Sequence, residues 1–183
     1  MGKTTAKDLT IAQLKKMLTE KSKEEIIYFL ANLYKYSPSV KQAVNINFNP
    51  QYGEKLLAEA QSKIDKLCFP NTKSGIPYNF SISGIKAIVK DFKNVCNDEK
   101  LIAQLNLHCA KNLIEFTNTF GDIDESFYNA LERYFYDAAI IIGSYDDMYE
   151  KYFQSLENLW EQTYDVGWGL YDELSDTLDR IRR

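Results

Sequence analysis

The chain has one histidine, His108, three cysteines, four prolines and eight glycines in 183 residues, and no arginine before Arg133. A lone imidazole removes much of catalytic chemistry. Cys109 adjoins His108 in sequence, but neighbours on a helix point about 100° apart, so a Cys–His pair is not expected. Leu105 stands three residues before His108, where a di-iron carboxylate bundle would need Glu. Cys68, Cys96 and Cys109 are odd in number and lack metal-ligand spacing, so they read as reduced, buried small hydrophobes and offer zinc little. The scarcity of Gly and Pro disfavours a turn-rich all-β fold. The longest purely apolar run, "AAIIIG" at 138–143, is far too short to span a bilayer. The opening "MGKTTAKDLTIAQ" has no apolar core of signal-peptide length. The expectation is a cytoplasmic protein with no membrane contact, no cofactor and no metal.

What is present is aromatic and unevenly charged. Thirteen Tyr, ten Phe and two Trp accompany 45% hydrophobic and 26% charged residues, an ordinary globular balance. Such a length suits one domain, 1–183, able to bury about 70% of its unfolded surface. Residues 1–100 hold sixteen Lys against ten acidic side chains, whereas residues 101–183 hold six basic against sixteen acidic. Halves of opposite sign can attract one another, within one chain or between copies.

Apolar residues recur at helical spacing almost throughout, and the pattern predicts an all-α protein of about nine helices with no strand. Ile11, Leu14 and Leu18 mark a short first helix. Ser22 with Glu25 forms a capping box opening a second, for which Ile26, Ile27, Leu30, Leu33 and Tyr34 form a buried stripe. Ser37-Pro38 and Asn49-Pro50 each set a capping residue before a proline, which opens two further helices. "CFPNTKSGIPYNFS", 68–81, is the one clear break, read as a surface loop or as a subdivision of the domain. Later helices begin near Ile85, Asp98, Asp124, Tyr152 and Trp168. Grouped in consecutive antiparallel hairpins, they suggest an irregular, repeat-like array without a fixed period.

Gly121-Asp122-Ile123-Asp124-Glu125 crowds three carboxylates beside a glycine. A helix–loop–helix calcium site would need glycine at the sixth position and glutamate at the twelfth; counted from Asp122 these are Phe127 and Arg133. A helix boundary fits instead, with Gly121 ending one helix on a positive φ and Asp122 pairing with Glu125 as a capping box. "GKTT" at 2–5 resembles the end of a phosphate-binding loop but lacks the strand and first glycine. Asp146-Asp147 and Asp172-Glu173-Asp176 read as solvated faces rather than acid–base pairs. Lys15, Lys16, Lys21 and Lys23 gather about the first inter-helix turn and could meet phosphates, although the missing arginine weakens base reading.

"GDIDESFYNALERYF" and "GWGLYDEL" (167–174), with "LKKMLTEKSKEEIIYFLANLYKYSPSVKQAV" (14–44), resemble a bacterial domain-of-unknown-function family of all-helical proteins. That family joins a Gly-Asp-Ile-Asp-Glu segment to a Phe-Tyr-Asn-Ser-Leu-Glu helix and carries Trp-Gly-Phe near its end. Ala130 and Leu170 depart from the pattern, where Ser and Phe are expected. The resemblance implies an all-helical bacterial protein and no known activity. It singles out Asp122, Asp124, Tyr128, Trp168, Tyr171 and Asp172 as a surface for a partner. The leading expectation is a non-enzymatic interaction or scaffold protein, self-association included. Nucleic-acid binding through the lysine-rich hairpin comes second, and an enzyme or metal role for the cluster at Asp122 third.

Overall fold

Capping chemistry sets most of the helix starts. In the computed structural model, which describes residues 7–70 and 80–183, the described residues form nine helices and no strand. Thr10 and Gln13 close a reciprocal capping box on α1 (Ile11–Thr19), and Ser22 and Glu25 close another on α2 (Lys23–Tyr36). Both boxes satisfy backbone N–H groups that the first turn leaves without a carbonyl. The two prolines open α3 (Pro38–Phe48) and α4 (Pro50–Cys68). The Ser37 hydroxyl accepts from the Val40 N–H at 3.4 Å, but Asn49 makes no side-chain cap, so proline's preset φ marks that start. Ser81 caps α5 (Ile82–Val95) and Asp98 caps α6 (Glu99–Phe120). The set ends with α7 (Glu125–Ser144), α8 (Asp146–Glu161) and α9 (Leu170–Asp179).

The chain divides into two compact units, Met1–Val44 and Asn45–Arg183. Most of the predicted break at 68–81 lies outside the described residues. The second unit is built round the α6–α7 pair. Phe116 meets Phe127 at one end, and Glu99 accepts from the Tyr145 hydroxyl at the other, so the two helices run antiparallel. Onto this pair α4, α5, α8 and α9 pack, leaving Phe116, Phe127, Phe135, Leu105, Leu113, Leu131 and Ile142 without solvent exposure. The three cysteines are reduced and buried, as expected; burial raises the Cys68 thiol to about 12 and pushes Cys109 up as well.

The first unit differs from expectation. No residue of α1, α2 or α3 is buried, and these helices do not pack closely on one another. The stripe predicted to be buried on α2 is open: Ile27 is 55% exposed, and Leu30 and Leu33 also face solvent. A segment this short has too little surface to enclose a core of its own. Among the described residues no helix is long and apolar enough to cross a membrane.

One position in the second unit conflicts with its surroundings. Asn106 on α6 is fully buried, and neither its Nδ2 nor its Oδ1 has a hydrogen-bond partner among the described residues. An orphaned buried polar group costs about 1–3 kcal/mol. Asn106→Leu, close in shape, should therefore raise the unfolding free energy by about that amount. Chemical denaturation checks it, and a loss of stability would mean that the amide is satisfied after all.

Candidate functional site

The six residues singled out for a partner surface do not all meet. α6 ends at Gly121, whose φ of 88° and ψ of −165° lie in a region essentially closed to other residues. The chain turns there and α7 begins on Asp124, which accepts from the Phe127 N–H at 3.0 Å and the Ser126 hydroxyl at 2.6 Å. Asp124 is thus the cap, and the predicted pairing of Asp122 with Glu125 does not form. Asp122 has different partners because the turn aims it toward the segment before α9. Its Oδ1 accepts from the Tyr128 hydroxyl at 2.7 Å and from the Trp168 indole N–H at 2.8 Å.

Asp122, Tyr128 and Trp168 form one corner. The Tyr128 ring stacks on the indole with centroids 5.7 Å apart and planes 23° apart. Thr117, which the sequence did not single out, stands 2.9 Å from the Tyr128 hydroxyl. The indole stays 55% exposed on a backbone with φ of 63°, the one non-glycine positive φ among the described residues. Gly169 follows at φ 71°, so two successive left-handed residues deliver the chain into α9. Trp168 gains a stacked ring and an ionic acceptor from this strained position. Hydrogen bonds from Tyr128, then Trp168, hold the Asp122 carboxyl below the usual range; burial pushes the Tyr128 hydroxyl up.

Tyr171 and Asp172 lie elsewhere. Tyr171 stacks on Trp160 at 4.8 Å, meets Tyr164 edge-on, and accepts the Trp160 indole N–H at its backbone carbonyl. Asp172 sits exposed in the first turn of α9 with no hydrogen bond to the corner. The corner holds a fixed carboxylate beside an open aromatic face, with no nucleophile–base pair in it. Among the described residues no group of three or more His, Cys, Asp or Glu is placed to hold a metal ion.

Of the four lysines, Lys21 lines a second feature. Lys15, Lys16, Lys21 and Lys23 are all exposed, and Lys21 pairs with Glu25 at 2.9 Å. Between α1 and α2 lies an apolar groove of about 410 Å³, lined among others by Leu9, Leu14, Met17, Ile26, Tyr28 and Phe29. Lys21 and Glu25 line it too. Sequence reasoning missed this groove by assigning the apolar side chains to burial. A signal was present: "IIYFLANLY", 26–34, is apolar round more than one helix face, more than a single neighbour can cover.

Against known proteins, the model of the Family of unknown function (DUF6155) matches residues 9–182, so the chain belongs to that family. No curated protein and no solved structure matches.

The corner has a pH signature. The folded pKa of Asp122 is depressed, so its contribution is present above the ordinary aspartate value of 3.8 and is lost as pH falls through the lower folded value. The Trp168 indole N–H resonance should shift with a midpoint below 3.8 on acidification, and the transition should vanish in Asp122→Asn. An identical transition in that variant would place the titrating group elsewhere.

Proposed function

We propose that this member of the family is a non-enzymatic protein-binding module whose α1–α2 groove receives an amphipathic helix from a partner protein. The observation that carries the reading is the open groove itself: two helices present Leu14, Met17, Tyr28 and Phe29 to solvent and bury nothing. Contiguous apolar surface of this kind is costly to leave in water and marks docking surfaces. A helix laid in such a groove anchors through apolar residues three and four apart.

Charge favours an acidic partner. Residues 1–44 carry eight Lys and four acidic side chains, so Glu or Asp flanking the partner's apolar stripe would meet lysines at the rim. A second copy suits the groove less well. Paired grooves would bring like-charged lysines together, and the large hydrophobics exposed among the described residues of 45–183 are only Phe48, Tyr164 and Trp168. The Asp122–Trp168 corner supports a secondary contact, since an exposed, rigidly held indole is the kind of residue that anchors interfaces. Nucleic-acid binding is the alternative, favoured by the exposure of Lys15, Lys16, Lys21 and Lys23, although Lys21 is already engaged with Glu25.

A synthetic amphipathic helix with a Leu/Phe stripe and Glu flanks serves as the probe. The full chain should bind it, and Met17→Glu with Phe29→Glu should weaken binding at least about tenfold. Equal binding by this double variant contradicts the groove. Dimerisation abolished by the same changes would replace the partner helix with a second copy. Salt-sensitive binding of RNA or DNA, lost when the four lysines become Gln but kept in the double variant, would establish the alternative.

A further inference from the structure

A second surface lies wholly within residues 45–183 and is independent of the groove. α4 and α8 both pack on α6 but not substantially on each other, and a trough of about 340 Å³ lies between them. Gln61 from α4, Gln104, His108 and Lys111 from α6, and Tyr152 and Asn158 from α8 supply its polar lining. No carboxylate lines it, although residues 101–183 hold sixteen acidic side chains against six basic.

Several unused hydrogen-bonding groups in the trough are donors; Ser155 and Gln162 line it too, and Gln162 gives its Nε2 to the Asn158 carbonyl at 3.0 Å. Gln104 Oε1 accepts from the Tyr152 hydroxyl at 2.8 Å, and Asn158 Oδ1 accepts from Gln154 Nε2 at 3.1 Å. Those bonds fix the orientation of both carboxamides and leave the NH2 groups of Gln104 and Asn158 without an acceptor among the described residues. Lys111 forms no ion pair among the described residues. His108 is held from one side: its Nε2 lies 2.7 Å from Asp65 Oδ1, which also accepts from Asn112 Nδ2 at 3.1 Å. With the Nε2 proton directed at that carboxylate, Nδ1 is the ring nitrogen left without a protein partner.

We infer that the trough is a binding site for a small oxyanion, a carboxylate or phosphate group carried on a compact molecule. The ligand's oxygens accept from Lys111, Gln104 and Asn158, and its remaining polar atoms meet Gln61 and the imidazole. An ammonium and two amide donors match an oxyanion, and the one carboxylate shown beside the trough, Asp65, is already engaged by His108 and Asn112. The volume is at the small end of ligand pockets, which restricts the ligand to a compact one.

The experiment is an NMR titration of the full chain, with inorganic phosphate in one arm and succinate in the other, at constant ionic strength. Saturable shifts of the Gln104 and Asn158 side-chain NH2 resonances and of the Lys111 amide are expected in one arm or both, and the arm identifies the oxyanion. Lys111→Gln, an exposed change, should weaken that binding about tenfold, the loss of one charge-assisted hydrogen bond. Shifts that never saturate in either arm, or that are unchanged in Lys111→Gln, would mean an adventitious ion only and would overturn the assignment. The α1–α2 groove is unaffected by either result.

Discussion

Phe116 and Phe127 face each other across the α6–α7 seam with ring centroids 5.9 Å apart, and both are wholly buried. Phe80 stacks on Phe116 at 3.9 Å and lies 5.9 Å from Phe127, while Phe69 and Phe120 close the cluster. The rings continue outward, from Phe127 to Tyr128 at 5.2 Å and from Tyr128 to Trp168. One aromatic path therefore joins the dry centre of residues 45–183 to an exposed indole. Aromatic pairs add about 0.5–1.5 kcal/mol each beyond the area they bury. The corner at Asp122 is tied to the core because its tyrosine packs between Phe127 and Trp168.

Where α6 and α7 supply a core, polar side chains go to specific tasks: Asp98 and Asp124 cap helices, Asp122 gathers two donors, and Asp65 holds His108. Where no core forms, in α1 and α2, apolar side chains remain in water. Natural helices seldom keep so much unburied without something to cover it.

Much of the fold was legible in the sequence, since helix starts are written locally. Ser22–Glu25, Asp98 and Ser37-Pro38 each name a helix start from one to four residues, and the 3.6-residue period of α6 and α7 identifies the faces that become the core. Burial of α2 was not legible. Period shows which residues share a face but not whether a neighbour exists to cover it. The candidate site was legible in part. Asp122, Tyr128 and Trp168 were named together and do meet. The role of Asp122 was misassigned, because a carboxylate three residues before Glu125 looks the same in sequence whether it caps a helix or reaches forty-six residues ahead to Trp168. Tyr171 packs against Trp160 and Tyr164 instead, and Asp172 makes no hydrogen bond to the corner. Thr117 and the Asp65–His108 pair depend on contacts between distant helices, which local spacing does not encode.

The central claim is a contrast: residues 45–183 are held by an aromatic seam, while no residue of α1 or α2 is buried. Hydrogen–deuterium exchange on the intact chain tests it most directly. The account requires the α6 and α7 amides to exchange slowest and the α1 and α2 amides to exchange far faster, slowing when an acidic amphipathic helix is added. Protection of α1 and α2 equal to that of α6 in the isolated chain would contradict it.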